Sequence, residues 1–596
     1  MGLNRLFLNL LLLTSIIFFS AFVLALAGIF YVPLAIGFSG LAFLFLRRKL
    51  RLEKISSLVS RWELVVLVVI ALFSFFVFSH SVPSYFEGRD PGAMVEASVM
   101  LAEKHSLEFT PATLRFFDDH DSNDLALHYP GFVLTDRGTL KSQFNVGYIS
   151  YLAFWYGLFE DTGLRLANIW GIVIGLLAIF YIVKNITGNI IAAIGTLPLV
   201  IMSFPFFFFS RQNYSEPLAF GFLFATIYLV LEFNRRRKTP EKYAYLSLLT
   251  MVCFILIRAE AFLVAPILLY VLLFIAKRKK VNLRTKKFAA VTIFLLCVFI
   301  LYSLTIIPFY KKMAKDLLGY KQGQVTVLQL SFIENTKEGF TKMLYIVKVF
   351  AAYGMPLILF LGLAGLGRTF WKIKEAGSGK LASFIPIIFA GPFFLYFLSP
   401  MIALDHPWLL RRFMFAVVPL LAIYTIVFLF SFFGETRTTF ILAALLLIFQ
   451  INIFFDYGFK KENPMLIQQV EALSRKFNKN DLILIDKSSA FDDWTLISAP
   501  LRYLFDKNAV YVYNADDLAK IHPGTFSNIY LISLPKSGGK YLSNYRAIHE
   551  EPYTFTTSHL AITPFDKEMG FSNKVNIPAY SHDEKTVTIY KLTAQQ

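Results

Sequence analysis

Charge and cysteine are both scarce in this chain: 16% of its 596 residues are charged, and two, Cys253 and Cys297, are cysteines. Each cysteine lies inside an apolar run, so both read as small core residues, exclude a disulfide scaffold and fix no redox compartment. What fills the space is apolar: 56% hydrophobic residues, 65 of them Phe. Uninterrupted stretches recur at about 20 residues, the length that crosses a hydrocarbon core. The chain therefore reads as a polytopic α-helical membrane protein, long enough to carry a soluble domain as well.

The net charge of +18 would point to nucleic acid in a soluble protein. Here Lys and Arg gather in short loops between apolar runs, which is the positive-inside pattern, and no nucleic-acid partner is expected. The basic loops are Arg47 to Arg51, Arg235 to Lys238, Lys277 to Lys280 with Lys286 and Lys287, and Arg368 to Lys380. Placing them in the cytoplasm gives spans at about 6–26, 28–46, 62–82, 164–183, 189–209, 217–233, 243–257, 261–276, 288–308, 344–366, 381–399, 413–433 and 438–456. That is about 13 spans, N-terminus inside, C-terminus outside, in a plasma-membrane protein. The first apolar run, Leu6 to Leu46, is too long for a removable signal peptide and reads as a hairpin turning near Gly28 to Pro33. The stretch 243–276 is split in two because a single crossing would put one basic cluster outside and a charged pair in lipid. The loop from Tyr310 to Lys342 carries Lys311, Lys312, Lys315 and Lys321 yet falls outside; long loops obey the rule less strictly.

Four charged interruptions then share the outer side: Arg89-Asp90, Arg211 with Glu216, Arg258 with Glu260, and Arg411-Arg412. Ionisable groups at membrane depth are costly and usually mark a site. The outer loop 83–163 belongs with the membrane domain, 1–456. It holds Tyr85 to Gly92, a helical pattern from Ala93 to Lys104, an acidic run Asp118 to Asp124, and Leu140 to Asn145. Val146 to Phe159 is too short for a span and suits a helix lying at the interface. The tail, 457–596, is expected to be an extracytoplasmic α/β domain with a partly parallel sheet. Its strands read at 481–486, 509–513 and 528–533, with helices at 493–505 and 516–521. It lacks a glycine-rich phosphate loop and metal-ligand spacing, which favours a covering or binding role.

One carboxylate among arginines and lysines at a membrane surface suits a reaction in which an anionic group leaves while a base takes a proton. A lipid phosphate is the natural anion there, and sugar transfer from a polyprenyl phosphate to an acceptor hydroxyl needs this set. The motifs also carry a resemblance. An acidic motif after an early span, a Lys before an aromatic stretch, then LRLANIWGIVIGLLAIFYIV (164–183), SRQNYSEPL (210–218), RAE (258–260) and DHPWLLRRFMFAVVPLL (405–421) resemble, in order and in side, the GT-C superfamily of membrane glycosyltransferases. The branch is that of protein O-mannosyltransferases and lipid A aminoarabinose transferases, in a prokaryotic form, over roughly residues 62–435. The Trp-Trp-Asp-Tyr-Gly motif of the oligosaccharyltransferase branch is missing from the tail.

The resemblance implies an inverting transfer with Asp90 as the general base and Arg411 and Arg412 as contacts to the donor phosphate. Lys141 stands where that branch has a phosphate-binding Lys, although Ser142-Gln143-Phe144 replaces its prolines. Arg258 and Arg211 are further phosphate candidates, with Glu216, Glu260 and His406 in support. Each has a plainer alternative: Asp90 as a turn former, Arg211 with Glu216 as a structural pair, an arginine snorkelling to headgroups. No cofactor is required; Asp119 and Asp121 have a spacing that admits a divalent cation, though a solvated loop explains them as well. Expected partners are a polyprenyl-phosphate sugar, an acceptor glycan, lipid or protein, and membrane lipids. A transporter or flippase for a lipid-linked sugar is the alternative, and a non-catalytic receptor or assembly protein a third reading. Against a transporter, no inverted repeat is visible and the charges lie at one face.

Overall fold

The structure, a computed structural model, describes residues 2–594 apart from 53–58, 87, 89, 118–127, 136–137, 238–239, 282–292, 294–295, 297–299, 301, 304–335, 377–380, 401, 435–436, 490–494, 513–515, 517, 519–520, 522–525, 543–544 and 564–574. Arg89, Asp119, Asp121 and most of the expected span 288–308 and loop 310–342 lie outside the described residues.

The membrane part is built from α1 (Gly2–Leu26), α2 (Val32–Lys49), α3 (Arg61–His80), α4 (Asp90–Lys104), α5 (Val146–Thr187), α6 (Ile190–Ile201), α7 (Phe204–Phe209), α8 (Glu216–Arg235), α9 (Glu241–Ile257), α10 (Ala265–Lys279), α11 (Thr336–Ala352), α12 (Pro356–Ala376), α13 (Leu381–Ala390), α14 (Arg411–Met414), α15 (Val417–Phe433) and α16 (Arg437–Tyr457). Among the described residues, five helices are long and apolar enough to cross a membrane, or seven if each of two bent pairs is one span. Several expected spans fall instead on shorter apolar helices, such as Ile190–Ile201 and Leu381–Phe397.

Local chemistry accounts for the boundaries. Ser60 and Glu63 form a reciprocal capping box that starts α3. The Asn189 side chain caps α6 by accepting from the Ile191 and Ala192 N–H groups. The long α5 is two legs broken at Phe159 and Glu160, the latter at φ +48°. The chain doubles back so tightly there that a Cβ on Gly163 would lie 1.8 Å from the Trp155 carbonyl. Small residues also let helices meet closely: a Cβ on Gly171 of α5 would stand 2.5 Å from the Pro217 carbonyl of α8.

The helices have two chemically distinct ends. At one, Arg235 and Arg236 pair with Glu232 (2.9 and 2.7 Å), Asn185 of α5 reaches the same carboxylate (3.0 Å), and Lys279 donates to the Phe233 and Arg236 carbonyls (3.0 and 2.8 Å). The basic clusters that close α8 and α10 are thus neighbours, which requires the turn at 258–263 between α9 and α10 to lie at the other end. That turn is a 3-10 helix, Ala259–Leu263, as the split of 243–276 anticipates.

Within the expected interfacial stretch Val146–Phe159, the ten residues Val146–Trp155 are all buried in protein, while Gly157 and Phe159 at its end are exposed. The buried ten pack against the second leg of α5, where Tyr148 donates to Asn168 (3.0 Å) and Tyr151 to the Ala167 carbonyl (3.2 Å). A segment too short to span is here enclosed by protein because the sharp corner after it folds the next leg onto it.

The outer loop contributes a three-stranded antiparallel sheet, β1 (Glu108–Phe109), β2 (Phe132–Leu134) and β3 (Leu140–Ser142), with β3 in the middle. The tail carries α17 (Leu466–Ser474), β4 (Leu482–Asp486), α18 (Ser498–Tyr503), β5 (Asn508–Val512), β6 (Ile529–Ser533), β7 (Tyr545–Leu560) and β8 (Tyr580–Ala594). Its sheet has the order β5-β4-β6-β8-β7, parallel among β4, β5 and β6 and antiparallel through β8 and β7. The central strand β4 is buried at every position, which is why it reads as a continuous apolar run. The long β7–β8 hairpin escaped the sequence reading because polar residues alternate along it.

The α/β domain sits on the outer loop through buried polar contacts. Arg502 grips Glu96 of α4 with two nitrogens (2.7 and 3.1 Å), and both side chains are almost wholly buried. Tyr503 donates to the Tyr85 carbonyl (2.9 Å), and the His128 ring bonds the Tyr511 carbonyl (2.7 Å). The helix that begins at Asp90 is therefore held from above by the tail.

Candidate active site

Six of the expected residues converge at the end of the bundle opposite the Arg235 and Lys279 clusters. Glu216 opens α8, with Pro217 in its first turn; a helix N-terminus favours a carboxylate there. Arg258, where α9 ends, donates to Glu216 at 3.0 Å and holds Glu260 with two nitrogens, at 2.6 and 3.3 Å. Its guanidinium also lies 4.8 Å from the centre of the Phe415 ring and reaches the Ser215 hydroxyl at 3.4 Å. Arg412 donates to Glu260 at 3.2 Å, and the Tyr396 hydroxyl does so at 2.8 Å. Arg411 stacks on Tyr214 (4.9 Å) and forms an ion pair with Asp90, with Glu216 4.0 Å from its Nε.

Three arginines thus face three carboxylates, so the buried charges offset one another. Glu216 and Arg258 are deeply buried, whereas the Asp90 side chain remains 42% exposed. Asp90 is accordingly the carboxylate that a substrate can reach. Burial works to raise its pKa, but Arg411, with Arg412 and Arg258 behind it, outweighs burial and holds the carboxyl below its ordinary value. The Nε atoms of Arg411 and Arg412 are buried without a hydrogen-bond partner among the described residues. An oxyanion entering beside them would meet donors already aimed and dry.

Other expectations fall elsewhere. Arg211 does not pair with Glu216: it donates to the carbonyls of Gly458 (2.6 Å), Lys460 (2.8 Å) and Tyr457 (3.3 Å), tying down the end of α16. Glu216 is taken by Arg258, which reaches it from the neighbouring turn. His406 bonds Tyr353 (3.1 Å) and exchanges backbone hydrogen bonds with Thr563, so it joins the membrane part to the tail. Lys141 lies in the middle strand β3, opposite Glu108 and Val133. Among the described residues no hydrogen bond or ion pair joins it to the cluster. Tyr396, Tyr214 and Phe415 escaped the sequence reading because nothing distinguishes them from the other aromatic residues of apolar runs. Among the described residues no group of three or more His, Cys, Asp or Glu is arranged to hold a metal ion.

Residues 147–303 match the family model described as dolichyl-phosphate-mannose-protein mannosyltransferase. No curated protein matches the chain. Among solved structures, ArnT from Cupriavidus metallidurans in the apo state is similar at a TM-score of 0.50 and 11% identity, over 89% of this chain and 97% of that one. ArnT bound to undecaprenyl phosphate gives 0.49 and 11%, over 89% and 98%. The oligosaccharyltransferase of Archaeoglobus fulgidus tethered with an acceptor peptide gives 0.45 and 10%, over 87% and 74%. At 11% identity the likeness to apo ArnT is one of fold, over most of both chains, and the family match lies inside it at residues 147–303.

Proposed function

We propose that the chain transfers a sugar, with inversion, from a polyprenyl-phosphate donor to an acceptor at the outer face of the membrane. The observation that carries this reading is the reachable Asp90 paired with Arg411 beside Arg258 and Arg412. The donor phosphate enters next to the spare Nε donors and takes Arg411 from Asp90. Losing that partner raises the proton affinity of the carboxylate at the moment it must act as a base. The acceptor oxygen then attacks the anomeric carbon, its proton passes to Asp90, and the bond from that carbon to the phosphate oxygen breaks. The lipid phosphate leaves as an anion stabilised by the arginines. Lys141 acts in this scheme only as a contact on the lipid phosphate after it has entered.

The orientation follows from loop charge: the Arg235 and Lys279 end is cytoplasmic and the Asp90 end, with the α/β domain, faces outward. The test is a radiolabelled polyprenyl-phosphate-sugar panel with the purified full-length protein. Release of free lipid phosphate with label on an acceptor, lost in Asp90→Asn while donor binding persists, is the expected result. Full transfer by Asp90→Asn would remove Asp90 from the reaction.

A further inference from the structure

Asp90 is the first residue of α4, so the seat of that helix decides where the carboxylate meets Arg411. Two consecutive residues at the end of α18, in the tail, bond the chain on both sides of Asp90. Six residues after it, about 9 Å along the helix, Glu96 accepts from the Nη2 and Nε of Arg502 at 2.7 and 3.1 Å. Five residues before it, the Tyr85 carbonyl accepts from the Tyr503 hydroxyl at 2.9 Å. Arg502 is itself fixed in the tail, where its Nη1 donates to the Ala509 carbonyl at 3.2 Å.

Apart from the Asp90–Arg411 pair, little near the start of α4 supplies direction. Glu96 is fully buried and its Oε2 meets no donor among the described residues, so its charge depends on Arg502. Ser98 bonds back to the Met94 carbonyl of its own helix (2.6 Å), and the other buried residues of α4, from Pro91 to Leu101, are apolar. Apolar burial is non-directional, whereas a charge-assisted hydrogen bond fixes distance and angle. A buried ion pair adds little stability over apolar residues of the same volume. What it does add here is a directional hold on the helix that carries the base. A base must lie within hydrogen-bond reach of the proton it takes, and a misplacement of about 1 Å can cost about 100-fold in rate.

We infer that α18 positions the base: Arg502, through Glu96, and Tyr503, through the Tyr85 carbonyl, are positioning residues that set where Asp90 meets its substrate. The α/β domain is then a working part of the site as well as a cover. This rests on the proposed transfer for the role of Asp90, and on the two contacts for the hold upon it.

The test measures kcat and donor KM of the full-length protein in phosphatidylcholine nanodiscs, with the donor that the radiolabelled panel selects, together with thermal unfolding and undecaprenyl phosphate binding. Glu96→Met combined with Arg502→Met replaces the pair by apolar side chains. This double variant should unfold near the parent temperature and bind undecaprenyl phosphate as the parent does, yet lose about tenfold to 100-fold in kcat with donor KM little changed. In the Asp90→Asn background the same two replacements should cost no further rate, because no base remains to be misplaced. A merely structural hold would lower the rate by the same factor in both backgrounds. Tyr503→Phe keeps the ring, removes only the hydroxyl and should lower kcat about threefold, which keeps the test decisive if the double variant fails to fold. Parental kcat in a folded double variant overturns the inference, as does an equal loss in the Asp90→Asn background. A loss matched by lost undecaprenyl phosphate binding also overturns it, since the arginine array would then have come apart. Should the double variant not fold, parental kcat in Tyr503→Phe overturns it. In all of these failures Asp90→Asn is still slow; full transfer by Asp90→Asn is the separate result that sinks the proposed reaction itself.

Discussion

Two sets of buried arginines occupy the same end of this molecule and are satisfied in opposite ways. Arg258, Arg411 and Arg412 meet carboxylates, whereas Arg211 meets the carbonyls that close α16. The first set is a charge-balanced array; in the proposed transfer a substrate anion takes Arg411 by competing with Asp90. The second joins the membrane helices to the segment leading into the α/β domain, assisted by His406 and its neutral partners. A buried charge held by neutral dipoles retains its field, and a charge held by a carboxylate spends it locally.

The largest effect should come from breaking the balanced array at its reachable member. Asp90→Asn is expected to lower the transfer rate about 100-fold to 10,000-fold, the usual span for a general base, with donor affinity retained. Measured transfer and donor binding together check this. Arg258→Gln leaves buried Glu216 without its main partner and should destabilise the fold by about 3–5 kcal/mol. Thermal unfolding in detergent would show it, and a variant as stable as the parent would mean that the array is dispensable for folding. Arg502→Met removes the partner of buried Glu96 and should cost up to a similar amount, by loosening the domain contact. Protease sensitivity near 498–512 rising before any loss of helix would separate it from the Arg258 effect.

Acid should separate the two regions by pH. Burial lowers the His406 pKa to about 4, below an ordinary value of about 6.5. Between those values the unfolded chain binds the proton and the folded chain does not, so stability falls as pH falls. The joint should lose about 2 kcal/mol from pH 7 to pH 5, and His406→Gln should abolish that loss. The array behaves differently: Asp90 is held below its ordinary value, so its contribution persists through this window and is lost only on further acidification. A kcat/KM, which reports the free enzyme, that fell with an apparent pKa well above about 4 in the His406→Gln variant would contradict that assignment.

Much of the array was legible because charge inside apolar sequence is conspicuous. Arg258 with Glu260, Arg411, Arg412, Glu216 and Asp90 each stood out by interrupting a hydrophobic stretch, and loop charge put them on one side. Their pairing was not legible. Glu216 lies five residues from Arg211 and 42 from Arg258, yet it bonds the latter, since residues close in sequence at a helix start point in different directions. In the tail, β4, β5 and β6 announced themselves as short apolar runs, but β7 and β8, with one face open, did not. The aromatic members Tyr396, Tyr214 and Phe415 had no signal at all in a chain with 65 Phe and 29 Tyr.

Composition and periodicity alone determined that this is a multi-pass helical membrane protein with a separate α/β tail, because burial in lipid and burial in a sheet demand different residue patterns. Tertiary structure alone decided which arginine meets which carboxylate, that Arg502 reaches Glu96 across 406 positions of sequence, and that Arg211 meets backbone carbonyls and not the array. Those outcomes depend on distances of a few ångströms between helix ends, where hydrogen bonds form or fail, and sequence spacing carries no such distances.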